Sequence, residues 1–272
     1  MQPLKLTVVK TYPIGHSMQR LILTGAGLTQ ERIPGNFGGL HIKLLFKKHN
    51  QEKLELPDFK DGKLYWPAAD KKPVARTYSI ADFDVAKKEL TVDFVKHSPS
   101  GIACDFATQC SPGDDIGFSG PGLKQLINTT ASNYLLVGDL SAVPAISAVL
   151  KHIPQLKNTY VYIELENLND VEDIKEQYFS NAPSQLTFVK QEFRPTETIL
   201  PMIRDLPIPS ASNDWSITLA GEHQTVVDIR KYFSEKNFHK TFVYAVPYWR
   251  KDFTEEGYHE FRHETMDTVL SN

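Results

Sequence analysis

The chain has 272 residues, 41% of them hydrophobic and 23% charged, with a formal net charge of −3 and only two cysteines. That length and apolar content suffice for one large or two medium cores without disulfides, and the slightly acidic balance excludes a general nucleic-acid binder while leaving room for a local basic pocket. No run approaches the roughly 18 apolar residues of a membrane span, and the opening MQPLKLTVVK lacks an apolar signal core, so the sequence reads as a cytoplasmic protein that engages no membrane.

Residues 1 to about 125 run as short alternating stretches, LKLTVVKTY, QRLILTG, HIKLLFK, RTYSIADF, LTVDFVKH and DIGFSG, separated by Gly, Pro, Asn and Asp. Alternation predicts strands with one buried face, and many short strands with little helix predict a closed antiparallel barrel. Residues 47–73, rich in Lys, Asp and Pro, read as a long solvated loop with one further strand around Leu64–Trp66. Pro99 and Gly101 then turn the chain into a short helix from about Ala103 to Gln109. Cys104 and Cys110 fit neither a C-x-x-C pair nor half of a zinc site and read as buried, inert thiols.

From about residue 132 the rhythm becomes strand then helix, beginning with NYLLVGD and SAVPAISAVLKHI. TYVYIELEN, QLTFVKQEF, DWSITLAGE and KTFVYAVPY are β-branched and nearly continuously apolar, as strands covered on both faces are, with helices predicted over 194–206 and 223–235. The fold class is therefore an N-terminal antiparallel β-barrel domain, residues 1–125, followed by a parallel α/β domain, residues 132–272. The tail 254–271 reads as an amphipathic helix with Tyr258, Phe261, Thr265 and Val269 at helical spacing and an acidic start at Glu255 and Glu256 that suits the helix dipole.

VARTYSIADFD places Arg76, Tyr78 and Ser79 on one strand. A guanidinium binds phosphate oxygens through two donors at once. The helix entered at Gly101 offers unpaired backbone N–H groups and the positive end of its dipole to the same anion. Tyr78 supplies a stacking face, and the Ser79 hydroxyl a hydrogen bond for a ring nitrogen. Each residue alone has an ordinary role: Arg76 in a surface ion pair, Tyr78 in the barrel core, His97 as a locally bonded loop histidine. In combination they fit a diphosphate joined to a flat ring, that is, a flavin dinucleotide.

In the second half, VGDLSAVPAI makes a strand, a glycine turn and a helix with Pro144 in its first turn. It stands where open α/β sheets bind dinucleotides, but without a G-x-G-x-x-G fingerprint. Glu164 and Glu166 close the next strand. An acid there accepts from a ribose 2′-hydroxyl and repels a 2′-phosphate, which favours NADH over NADPH; read otherwise, it is a plain solvated charge. No protein-bound metal is expected.

RTYSI, VDFVKHSPSGIACDFA and PGDDIGFSGPG, with HIKLLF before them and VGDLSAVPAI, LAGEHQTVVDIRKYF and YAVPYWR after them, resemble the siderophore-interacting protein family. These are flavin-dependent ferric-siderophore reductases of the ferredoxin-reductase-like superfamily, and the likeness covers nearly the whole chain. Arg-x-Tyr-Ser marks only the superfamily; the His97–Gly101 segment and PYWR are more specific. The resemblance implies FAD in the barrel, with Arg76, Thr77, Tyr78 and Ser79 against the flavin and its phosphates. It places Asp93, Val95, His97, Gly101 and Ala103 along the ribityl, diphosphate and adenosine portions. It gives Asp139, Ser141 and Ala142 to the nicotinamide nucleotide, with ferredoxin as the donor of some members. It also implies a basic pocket for an anionic ferric siderophore: Lys43 and Arg250 lie in matching motifs, and Lys124 and Lys251 are nearby cations. Phe106, where many relatives carry Trp, and Leu123, where a second glycine is common, depart from the pattern.

The expected activity passes electrons from NADH, NADPH or ferredoxin through FAD to siderophore-bound Fe(III). Hard oxygen donors hold the resulting Fe(II) far more weakly. No protein acid, base or nucleophile is expected to be essential, Tyr78 and Ser79 tuning the flavin instead, and the chain is expected to act as a monomer. The rival readings are a ferredoxin or flavin reductase of the same architecture and a non-catalytic siderophore carrier.

Overall fold

The computed structural model describes residues 1–35, 38–122, 127–153, 158–181, 183, 185–191, 195–255, 257–258 and 261. Two compact units divide the chain, Met1–Gln125 and Leu126–Asn272.

In the first unit, β1 (Leu4–Ile14), β2 (Met18–Thr24), β3 (His41–Phe46), β6 (Val74–Ser79), β7 (Asp82–Asp84), β8 (Glu89–Val95) and β9 (Asp115–Gly122) form one antiparallel sheet in the order β6-β3-β9-β1-β2-β8-β7. Alternation sorts the side chains of β3: Ile42 and Leu44 are fully buried, whereas His41 and Lys43 are exposed. The barrel closes just beyond β6, where the Ile80 N–H donates to the Leu40 carbonyl at 3.3 Å and the Ala81 N–H to the Thr91 carbonyl at 3.1 Å. Phe94 fills the interior at that seam, edge-on to Phe46 with centroids 6.5 Å apart and tilted against Tyr78 at 4.4 Å.

The segment 47–73 is less of a loop than its composition suggests. The strand expected near Leu64–Trp66 is β5 (Lys63–Tyr65), and it pairs with β4 (Asp58–Lys60) across Asp61 and Gly62, whose φ values of +50° and +77° match the twist of a tight hairpin. Three-residue strands with no buried side chain leave no alternation to read. Leu56 packs onto the sheet at Gly117, where an added Cβ would lie 2.6 Å from the Leu56 Cδ2. The helix after Gly101 is α1 (Ile102–Gln109), one residue longer than expected at its start.

The second unit carries a parallel sheet of β10 (Asn133–Asp139), β11 (Thr159–Leu165), β12 (Gln185–Lys190), β13 (Trp215–Glu222) and β14 (Val243–Trp249), in the order β12-β11-β10-β13-β14. Every residue of β13 is buried, as is every residue of α2 (Val143–Leu150), which accounts for their largely apolar character. The helices expected over 194–206 and 223–235 are α4 (Pro195–Arg204) and α5 (His223–Glu235). α3 (Val171–Tyr178) was not expected; with Ile174 its one buried residue, VEDIKEQY shows no apolar stripe. The strand order reverses on either side of β10, which leaves a crevice beyond the carboxyl ends of β10 and β13, the place where open parallel sheets can take a ligand. In the tail, residues 255, 257, 258 and 261 are helical; Glu256, Thr265 and Val269 lie outside the described residues. Among the described residues no helix is long and apolar enough to cross a membrane.

Candidate functional site

Strand register decides which residues of β6 can act together. Arg76 pairs with Leu44 and Tyr78 with Ile42, so these two share one face; Thr77 pairs with Lys43 and Ser79 with His41 on the other. The cation and the aromatic ring thus project together, while the hydroxyl stands beside the outward His41 and Lys43. Arg76 and Tyr78 are half-buried, and one guanidinium nitrogen of Arg76 donates to the Ala75 carbonyl at 3.0 Å. His41 is a neighbour that the sequence did not single out. Its ring lies so close over Gly122 that an added Cβ there would sit 2.3 Å from Nε2.

Beyond β8, the His97 Nδ1 lies 2.7 Å from the Pro99 carbonyl, which fixes the ring within its own turn. Gly101 caps α1 in extended geometry with no side-chain hydrogen bond to the helix start. A Cβ at Gly101 would meet nothing nearer than His97 Cε1 at 3.9 Å, so the glycine keeps the space before the helix open. Uncapped N–H groups, the dipole and an open approach are what an anion requires. Ala103 is buried, so it can meet a ligand there only through its backbone N–H, and Val95 is half-buried. Phe106 packs edge-on against Phe46 at 5.6 Å.

Asp93 departs from expectation. Its side chain is fully buried and receives Arg20 through two hydrogen bonds, Nε to Oδ1 at 2.7 Å and Nη2 to Oδ2 at 2.8 Å. The two residues are direct cross-strand partners. The carboxylate is part of the barrel's construction. The readable signal was an arginine within the apolar run QRLIL, a cation that needs a buried anion.

At the crevice of the second unit three carboxylates converge from adjacent strands: Asp139 on β10, Glu164 on β11 and Glu222 on β13, all buried. Glu222 caps α5, its Oε2 accepting from the N–H groups of Gln224 at 2.6 Å and Thr225 at 3.2 Å. Glu164 Oε2 accepts from the Thr225 hydroxyl at 3.3 Å, and its Oε1 has no hydrogen-bond partner. Burial first, and the negative charge of Asp139 second, push the Glu164 carboxyl up to about 8. Asp139 and Glu222 are also raised, chiefly by burial.

These positions correct the reading of the strand ends. Glu164 is 1% exposed and turned to Thr225, so it cannot receive a ribose hydroxyl; Glu166, two residues on, is the exposed acid. The preference for NADH drawn from Glu164 therefore loses its basis. Asp139 has both oxygens engaged within the chain, by Ser141 and by Trp249. Ala142 is the buried N-cap of α2.

Of the basic candidates, Lys43 is exposed on β3. Arg250 is half-buried, its guanidinium 4.7 Å from the Phe253 ring centroid and 4.3 Å from that of Phe261. Lys251 follows it, exposed, and Lys124 lies outside the described residues. No group of three or more His, Cys, Asp or Glu among the described residues could hold a metal ion. Cys104 is buried and Cys110 half-buried, both as free thiols, and burial pushes the Cys110 thiol up.

Comparison with known proteins covers both units. A model of the siderophore-interacting FAD-binding domain matches residues 7–125, and one of the siderophore-interacting protein matches residues 131–252. The ferric vibriobactin reductase ViuB of Vibrio cholerae is 32% identical over 269 residues, 97% of this chain and 96% of that protein. An NADPH-dependent ferric-chelate reductase of Escherichia coli is 25% identical over 246 residues, 90% of this chain and 92% of that one. The crystal structure of the siderophore-interacting protein SipS from Aeromonas hydrophila superposes with a TM-score of 0.80 at 31% identity, covering 98% of each chain.

Proposed function

The chain belongs to the siderophore-interacting protein family, and on that premise we propose that it is an FAD-dependent ferric-siderophore reductase, taking electrons from NADPH or NADH and releasing iron as Fe(II). The observation that carries the reading is the pairing, in one barrel, of Arg76 and Tyr78 on a common face of β6 with an uncapped helix start at Gly101. These groups fit FAD. Bound there, FAD converts a two-electron donor into single electrons for a ferric ion.

Arg76 and the first N–H groups of α1 neutralise the diphosphate and Tyr78 lies against the flavin ring; Ser79 is on the opposite face of β6, so its hydroxyl serves a ring nitrogen only where the ring extends past the end of the strand. Thr77, Val95, His97 and Ala103 line the remainder of the cofactor. Ser141 and Ala142 form the nicotinamide-nucleotide turn. Lys43 in the first unit, and Arg250 and Lys251 in the second, are each cations that attract an anionic chelate. Protonation by a side chain is not part of the step, because the reduced metal leaves its hard oxygen donors on its own account. The same reading sets the reaction in the cytoplasm, carried out by single copies of the chain, and admits reduced ferredoxin as an alternative donor.

Anaerobic stopped-flow on the FAD-loaded protein tests this. Bleaching of the flavin bands by NADPH or NADH is expected, followed by their return on adding a ferric hydroxamate as Fe(II) is trapped by a colorimetric chelator. Flavin that is reduced but not reoxidised by any ferric chelate would point to a flavin or ferredoxin reductase, and protein that purifies without flavin to a carrier. Lys43→Ala is expected to raise KM for an anionic ferric chelate about fivefold at low ionic strength, with the difference vanishing at high salt.

A further inference from the structure

Asp139 closes β10 and is 3% exposed. Its Oδ1 accepts from the Ser141 N–H at 2.8 Å and the Ser141 hydroxyl at 2.5 Å, and its Oδ2 accepts from the Trp249 indole N–H at 2.7 Å. Gly221, at a φ of +122°, backs the same carboxylate so closely that an added Cβ would stand 2.6 Å from Oδ2. The partners on its two sides serve different ends of the proposed reaction. Ser141 shapes the turn between β10 and α2 where a nicotinamide nucleotide would sit; Trp249 ends β14, directly before Arg250 and Lys251. Arg250 is then steadied by the Phe253 and Phe261 rings.

We infer that Asp139 is a positioning residue that ties the donor turn to the cation segment that receives the ferric chelate, and is not itself a ligand of either. The inference rests on the functional reading above. Side-chain chemistry explains why the residue is an acid. An ionised carboxylate accepts on both oxygens, whereas an asparagine accepts on one side only; its amide can still donate to the Ser141 hydroxyl, but it cannot accept from both the Trp249 N–H and the Ser141 N–H, so one of these two bonds is lost. Keeping a carboxylate buried beside Glu164 and Glu222 is costly. A tie needed only for folding could be made from neutral groups.

The test uses FAD-loaded Asp139→Asn, Ser141→Ala and Trp249→Phe, with binding of a redox-inert, anionic gallium(III) tris-catecholate and of NADP⁺ and NAD⁺ measured by calorimetry. W249F is expected to weaken the gallium chelate about tenfold and leave the nucleotides unchanged, S141A to do the reverse, and D139N to weaken both. In the D139N/W249F double variant, the loss of chelate binding is expected to be less than the sum of the two single losses, because residues 139 and 249 are in direct contact and act on the chelate through one another. Wild-type chelate affinity in W249F, or the same losses for both ligands in S141A and W249F, would overturn the inference while the functional reading stands. If D139N does not fold, the contrast between S141A and W249F decides alone. A wild-type protein that binds neither probe would remove the functional reading, and this inference with it.

Discussion

Asp93→Ala is expected to lower the stability of the first unit by about 3–5 kcal/mol, the usual cost of leaving one member of a buried ion pair without the other. The Arg20 side chain is 9% exposed and that of Asp93 0%, and the two hydrogen bonds between them are short and parallel. Removing the carboxylate strands a guanidinium that can be neither deprotonated nor hydrated in place. Thermal or urea unfolding of the protein measures this, with a fall in Tm of roughly 10 °C or more for a unit of this size. The double variant Arg20→Met/Asp93→Leu is expected to recover most of the loss, since apolar residues of similar volume remove the need for pairing. An Asp93→Ala protein that melts like wild type but has lost FAD would return Asp93 to the cofactor and refute the structural role.

The second large effect concerns pH. Unfolded, Glu164 gives up its proton near the ordinary 4.5; folded, it holds it until about 8. Between those values the native chain binds the proton more tightly than the unfolded one, so unfolding releases it and stability falls as pH rises. The loss is complete above the folded value and amounts to roughly 3–5 kcal/mol if the whole difference is realised. Glu164→Gln abolishes it. The glutamine cannot ionise, and its amide N–H₂ can donate where Oε1 now lacks a partner, toward the neighbouring acids. Calorimetry is expected to show similar Tm values for the two proteins near pH 5 and a Glu164→Gln protein several degrees more stable at pH 8.5. Equal slopes of Tm against pH would show that Glu164 is ionised in the folded protein.

How much of this was legible beforehand varies with the physics involved. Strands such as HIKLLF and NYLLVGD announce themselves because alternation or continuous apolarity is a direct consequence of which faces are covered. Arg76 and Tyr78 could be grouped for the same reason, residue type and strand parity both being in the text, whereas Ser79 has the opposite parity. Parity also says that Arg76 and Tyr78 share a face, and the register with β3 bears this out. The fate of a charge at a strand end is another matter. Glu164 and Glu166 look alike in sequence, yet one is buried under Thr225 and the other exposed, because that depends on α5, which begins some sixty residues later. Asp93 and Arg20 lie 73 positions apart, and only their register makes them partners. Asp139 stands in a strand-turn-helix motif that can be read locally, but its indole partner lies 110 positions away and cannot.

The strand order of the barrel bears on how the chain is made. β1 is the central strand of seven, flanked by β2 and by β9, so Leu4 pairs with Phe118. During synthesis the middle of the sheet emerges from the ribosome first, while its second neighbour emerges last of the seven. Until then the nascent chain can form the β1–β2 hairpin but has an open edge where β9 belongs, and such edges recruit wrong partners. Pairings of this sequence separation also fold slowly. A cofactor site mounted on this barrel is thus completed only after the whole first unit has been translated, and expression at low temperature with ample flavin is expected to raise the yield of holoprotein more than it raises total yield.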